Sequence, residues 1–117
     1  VNLNMDMISR SDKNELFAVG TIHNETLKKV VTSHEYSNKI NFLTGHDEGS
    51  RDENWTYASD HASFHKKGIP FLYFGVEDHK DYHEPTDDYE NIQPKFYVEA
   101  VKVIICVFEE IDTLNFN

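Results

Sequence analysis

One cysteine, Cys106, is all that the 117 residues contain, so no internal disulfide can form. The cysteine content therefore does not indicate whether the protein resides in an oxidising or a reducing compartment. Cys106 lies in the apolar run 101–108, where we expect a small buried thiol. The chain also lacks repeats, low-complexity segments and linkers. With 38% hydrophobic residues it has the size and apolar content of one small domain with a single modest core.

Basic residues are scarce as well: the chain has 11 of them and 21 acidic residues, which gives a formal charge of -10. This balance argues against nucleic acid or an anionic membrane surface as a general partner, and a cationic ligand is better tolerated. No apolar stretch approaches the roughly 20 residues that cross a bilayer. The first residues have neither the basic region nor the apolar core of a signal peptide. We therefore expect no nucleic-acid partner and no membrane span.

Apolar patterns predict strands that alternate with helices. Short strands are predicted over 1–8, 16–22, 40–44 and 69–74. Helices are predicted over 24–38, 59–68 and 94–111. In the last helix the expected buried stripe consists of Tyr97, Ala100, Val101, Ile104, Ile105, Phe108 and Ile111. Elements of this length in this order predict an α/β layer structure.

The segment 78–88 carries the densest set of reactive side chains, with two histidines and four aspartates in eleven residues. It follows the most apolar predicted strand. Because ligands of open α/β sheets bind beyond the carboxyl ends of strands, a site is expected here. A solvated acidic loop has the same composition, so composition alone leaves both readings open.

Three motifs in series carry a more specific signal. They are Asn4-Met5-Asp6-Met7-Ile8-Ser9-Arg10, then Ser59-Asp60-His61 with Phe64 and Gly68-Ile69-Pro70, then Asp81-Tyr82-His83-Glu84-Pro85-Thr86-Asp87. In this order and at these separations they resemble zinc-peptidase family twenty-eight, which includes bacterial leucyl aminopeptidases, aminopeptidase Y and glutamate carboxypeptidase. The resemblance extends from Asn4 to the final helix.

The resemblance implies a three-layer α/β fold with a mixed sheet flanked by helices, of which residues 1–117 would be the C-terminal half of the catalytic domain. It also implies two zinc ions as cofactor, with Asp6 a ligand of one zinc and His83 a ligand of the other. A carboxylate and a neutral imidazole are ordinary zinc ligands. Paired metals polarise a scissile carbonyl and lower the pKa of a bound water.

The remaining ligands and the general base come in this family from upstream elements, a His-x-Asp and a Glu-Glu pair, that these residues do not contain. Glu109-Glu110 matches by letter only, because it lies in the last helix, where a solvated face is expected. A predicted strand that begins at the first residue likewise indicates an upstream half. We expect the isolated segment to be catalytically inactive.

Other residues receive supporting roles. Asp87 could orient His83 through its second ring nitrogen, or form a turn. Asp81 and Tyr82 are expected to shape the loop, and His79 to be exposed, since spacing on a loop fixes no geometry. The residues expected to cap the short helix and line the site wall are Ser59, Asp60 and His61. Tyr57, or Thr56, lies where the family places a residue that holds the substrate carbonyl.

The leading hypothesis is an aminopeptidase that removes N-terminal residues from peptides. The alternatives are a carboxypeptidase or glutaminyl cyclase on the same scaffold, or a non-catalytic binding module that has lost its metals. The expected partners are a peptide substrate, the missing N-terminal half, and a second copy that covers an exposed sheet edge. The compartment is unknown, and family resemblance alone favours a secreted or periplasmic protein.

Overall fold

The computed structural model describes residues 1–114, which form a mixed four-stranded sheet of order β1-β4-β2-β3. The strands are β1 (Asn2–Met5), β2 (Glu15–Val19), β3 (Asn41–Thr44) and β4 (Phe71–Gly75). Strand β4 is parallel to β1 and antiparallel to β2, and β2 is parallel to β3. The predicted α/β fold with a mixed sheet and flanking helices is confirmed.

Strand β2 ends earlier than predicted because Gly20 turns the chain. Its φ of 114° is a conformation that favours glycine, and a β-carbon at this position would collide with the carbonyl oxygen of Phe71. A short 3-10 helix, Thr21–His23, follows in place of the predicted end of the strand. The turn directs the chain away from the sheet towards the first helix.

The helices are α1 (Glu25–Thr32), α2 (His61–His65) and α3 (Pro94–Asp112). Asn24 caps α1 as predicted, because its Oδ1 accepts the backbone N–H of Leu27 at 3.0 Å. The prediction that α1 reaches 37–38 was wrong. The C-cap of the helix is instead Ser33, whose N–H donates to Lys29 O at 3.0 Å, and the Tyr36 hydroxyl donates to the next carbonyl, Val30 O, at 2.7 Å.

One side of the sheet, here called the aliphatic face, packs against α1 and α3. Alternate strand residues point into it, as a period of two requires. The fully buried members are Leu16, Ala18, Leu27, Leu72, Phe74, Ala100, Val103 and Val107. No helix within residues 1–114 is long and apolar enough to cross a membrane.

The predicted buried stripe of α3 was partly wrong. Ala100, Ile104 and Ile111 are buried, whereas the other predicted positions are not, with Ile105 50% and Phe108 52% exposed. The buried residues that replace them are Phe96, Val103 and Val107. Cys106, expected to be buried, is exposed. Apolar residues cover two neighbouring stripes of this helix, so periodicity alone did not tell which stripe faces the sheet.

The opposite side, here called the aromatic face, has a different composition. Its core consists of Phe17, Val19, Phe71 and Tyr73, with Trp55 packed against them. The imidazole of His61 in α2 stacks on Phe71 and Tyr73 at centroid distances of 4.9 and 4.5 Å. Helix α2 and the segment that precedes it therefore cover this face.

Candidate functional site

A cavity of about 870 Å³ lies beyond the carboxyl ends of β1 and β4. The two strands are parallel, so both end at this edge, and the ladder continues to Asp6, whose N–H donates to Phe74 O at 3.2 Å. The predicted residues that line the cavity are Asp6, Tyr57, Tyr82, His83 and Asp87. The structure thus brings together side chains from widely separated motifs, at the place that the strand argument predicted.

Asp6 is exposed at this edge and is held by Ser59, whose hydroxyl donates to Asp6 Oδ2 at 2.8 Å. The next residue, Met7, has a φ of 59°. Left-handed backbone is uncommon for such a side chain and often accompanies functional sites. The Ser59 hydroxyl thus binds the Asp6 carboxylate. The predicted side-chain cap of α2 is absent, because Asp60 at the start of the helix makes no capping hydrogen bond.

His61 is fully buried and joins three parts of the fold. Its Nε2 donates to Trp55 O at 2.8 Å, and its Nδ1 accepts from Asn4 Nδ2 at 3.3 Å. A carbonyl can only accept and an amide nitrogen only donate, so both contacts require the neutral ring protonated at Nε2. Burial lowers the pKa of His61 and favours the same neutral form. His61 thus supports the strand that carries Asp6 from beneath the cavity.

The loop after β4 presents His83 in left-handed backbone, with a φ of 57°. Its ring is stacked on Tyr82 at a centroid distance of 3.8 Å. Asp81 is buried beneath, with Oδ1 accepting from the Thr86 hydroxyl at 2.6 Å and Oδ2 accepting from Arg10. These contacts, with Thr86 first and Arg10 second, hold the pKa of Asp81 below its ordinary value.

His79 is not exposed, contrary to expectation. Its side chain is only 5% exposed because the loop folds back over it, and its Nδ1 accepts the N–H of Asp81 at 3.2 Å. Asp87 Oδ1 lies 3.8 Å from His79 Nε2. Among residues 1–114 no hydrogen bond joins Asp87 to His83, so the orienting role of Asp87 stays a prediction.

The sequence model of the family described as Peptidase family M28 matches residues 1–107. The chain belongs to peptidase family M28. No curated protein and no solved structure matches it. Membership assigns a metallopeptidase-type hydrolase function, in a family that is generally zinc-dependent.

Within this M28 chain, two aromatic residues of the cavity escaped sequence reasoning. Tyr73 and Trp55 line it together with Asp6. Burial, and next the charge of Asp6, raise the pKa of the Tyr73 phenol, which therefore stays a neutral donor. The signal was available for Tyr73, because alternation along β4 places it on the aromatic face beside Asn4. No sequence pattern around Trp55 predicts its place in the cavity, because that place depends on the path of the loop that carries it.

Zinc requires three or four protein ligands. Between residues 1 and 114 no group of three or more His, Cys, Asp or Glu side chains is placed to hold a metal. Asp6 and His83 supply a carboxylate and an imidazole to one cavity, which are donors of the right kind. The described part of this M28 chain therefore offers fitting donors but not a complete zinc site by itself.

Proposed function

We propose that this chain forms the C-terminal half of the catalytic domain of an M28 aminopeptidase, with Asp6 and His83 as ligands of two different zinc ions. The observation that carries the proposal is that both side chains line one cavity beyond two adjacent parallel strands. The remaining ligands and the general base would come from residues outside 1–114. Zinc, when bound, polarises a carbonyl and supplies hydroxide at neutral pH.

The charges around the cavity favour an aminopeptidase over a carboxypeptidase. Its lining includes Asp6, Asp52, Asp78 and Asp87 against a single guanidinium, that of Arg51. Zinc would neutralise Asp6, but the three other carboxylates remain to attract the terminal ammonium of a peptide and to repel a terminal carboxylate. Tyr57 is exposed on the cavity wall, and we propose that it contacts the substrate.

A metal and activity assay tests the proposal. Zinc content and hydrolysis of an aminoacyl chromogenic amide are measured for this chain and for the longest natural polypeptide that contains it. We expect about two zinc ions and hydrolysis in the longer protein, and neither in the chain alone. Absence of bound metal in both would favour a non-catalytic binding module.

Variants of the longer protein refine this test. Asp6→Asn and His83→Ala should each weaken metal binding and abolish activity, whereas Ser63→Ala on the exposed surface of α2 should change neither. An N-acetylated substrate distinguishes the terminal specificity, since an aminopeptidase does not cleave it. Cleavage at the carboxyl terminus instead would assign a carboxypeptidase. Cyclisation of an N-terminal glutamine would assign a glutaminyl-cyclase-like enzyme.

We further propose that β1 pairs with another strand along its free edge. Within the described residues its only neighbour is β4. An uncovered edge is a template for strand addition, by the missing half of the domain or by a second copy. A monomer of this chain in sedimentation at micromolar concentration would contradict self-association. A secreted or periplasmic location stays a prediction.

A further inference from the structure

Arg10 lies on the segment that leaves β1 just after Asp6, and it contacts the loop that carries His83. Its Nη1 donates to Asp81 Oδ2, and its Nε donates to Asp12 Oδ1 at 3.1 Å. The side chains of Arg10 and Asp81 are only 11% and 9% exposed. The pair is therefore shielded from water, unlike ordinary surface ion pairs, and the planar guanidinium spans two carboxylates at once.

Asp81 is the centre of the hydrogen bonds that shape the loop. Besides Arg10 it accepts from the Thr86 hydroxyl, its backbone N–H donates to His79 Nδ1, and its carbonyl accepts the N–H of Glu84 at 2.9 Å. These contacts enclose His83 from both sides along the chain. The exposed imidazole of His83 has no hydrogen bond of its own within residues 1–114. Its left-handed backbone is therefore held by the contacts that Asp81 makes on either side of it.

A second attachment joins the same two segments farther along the loop. The N–H of Gln93 donates to Ser9 O at 3.0 Å, and the N–H of Ser11 donates to Gln93 Oε1 at 3.1 Å. The residues on either side of Arg10 are thus fixed to the end of the loop, while Arg10 itself reaches its middle. Arg10 and Asp81 therefore form one of two links between these segments, and the one nearer to His83 in sequence.

We propose that Arg10 is a positioning residue that, through Asp81, fixes the loop 78–88 and so places His83 relative to Asp6. The expected effect on metal binding rests on the proposed function, whereas the contacts of Arg10 and Asp81 do not depend on it. Removing the guanidinium should free the loop and misplace one ligand. Loss of a residue hydrogen-bonded to a metal ligand typically weakens metal affinity by about 10–100-fold, and we expect the lower end of that range for Arg10, which acts through Asp81.

The test measures Co²⁺ affinity, from its visible absorption, and amide hydrogen exchange over 78–88, in the longest natural polypeptide that contains the chain. Arg10→Gln should weaken Co²⁺ binding about tenfold and speed exchange in the loop only. The Co²⁺ affinity and loop exchange rate of Arg10→Lys should lie between those of Arg10→Gln and wild type, since an ammonium keeps the charge but cannot bind two carboxylates in the planar guanidinium geometry. Lys13→Gln is the matched control, because it removes one charge from the same segment and breaks only the exposed ion pair with Glu77.

A double-mutant cycle separates positioning from general stability. With His83→Ala already present, Arg10→Gln should weaken the residual Co²⁺ binding no further. An equal loss in both backgrounds, or faster exchange throughout the protein, would overturn the inference. Wild-type exchange and affinity in Arg10→Gln would overturn it as well. If the wild type binds no Co²⁺, the proposed function fails, and the inference stands or falls on whether Arg10→Gln speeds exchange in the loop.

Discussion

The two faces of the sheet have different chemistry and serve different ends. The aliphatic face is packed by α1 and α3 through apolar side chains such as Leu72 and Val103. On the aromatic face, His61 is hydrogen-bonded to Asn4 of β1, and Ser59 is hydrogen-bonded to Asp6 just beyond the end of that strand. The first face needs volume and apolarity, whereas the second needs particular donors and acceptors. Substitutions on the aliphatic face should therefore change stability alone, whereas those on the aromatic face should change the site as well.

The largest expected effect is on the aliphatic face. Leu72→Ala should lower the free energy of unfolding by about 2–5 kcal/mol, because Leu72 is fully buried in β4. Chemical denaturation measures this loss. The matched control is Ile105→Ala on the exposed stripe of α3, which should cost about 0.5 kcal/mol or less. Equal losses for the two variants would contradict the assignment of the buried stripe.

On the aromatic face we predict a pH dependence that comes from His61. Its folded-state pKa lies below the ordinary value of 6.5, so an unfolded chain takes up a proton that the folded chain resists. Its contribution to stability is complete above pH 6.5 and is lost as the pH falls below that value. The slope from this one group is at most about 1.4 kcal/mol per pH unit.

Denaturation between pH 7 and pH 5 for wild type and His61→Gln measures this contribution. We expect the variant to be less stable at pH 7, with a shallower decline towards acid. Parallel declines in the two proteins would show that His61 does not titrate as its burial requires.

A smaller stability effect with a larger functional one is expected at Ser59. Ser59→Ala removes one partly exposed hydrogen bond and should cost about 1 kcal/mol or less. It should nevertheless weaken zinc binding about tenfold in a protein with a complete site, because Asp6 loses its one side-chain donor within the described residues. Isothermal titration beside Ser63→Ala measures the difference. Unchanged zinc affinity would remove Ser59 from the site.

The smallest effect is expected at Cys106. Its thiol is exposed on α3, so Cys106→Ser should change the free energy of unfolding by about 0.5 kcal/mol or less. The native protein should also react with a thiol reagent as fast as the denatured protein does. Protection of the thiol until unfolding would mean that this side of α3 is covered in solution.

Much of the architecture could be predicted from local pattern. Alternation marked the strands, Asn24 marked the start of α1, and Pro94 the start of α3. The three motifs picked out Asp6 and His83, which the structure brings to one cavity. The predicted strands and helix starts are confirmed because each depends on neighbouring residues or on fixed spacing, whereas the metal roles of Asp6 and His83 stay predictions.

What could not be predicted depends on contacts between distant segments. Ser59 was expected to cap a helix, but its hydroxyl is bonded to Asp6 across the fold. The same holds for Arg10, whose partner Asp81 lies in another loop, whereas His79 is buried by contacts within its own loop. No periodicity specifies such pairs, since they follow from how the sheet arranges its connections.

The central place of β4 has a consequence for folding. Of the four described strands β1 is synthesised first, yet within the described residues it pairs only with β4, and Leu3 is opposite Leu72 in that ladder. Loop-closure entropy makes such distant pairing slow. During synthesis β1 must wait on the order of ten seconds for its partner, while β2 and β3 can already associate. Among the pairings of the described strands, the ladder between β1 and β4 is thus the last that synthesis permits, and the Asp6 N–H gains its bond to Phe74 O only once β4 has docked.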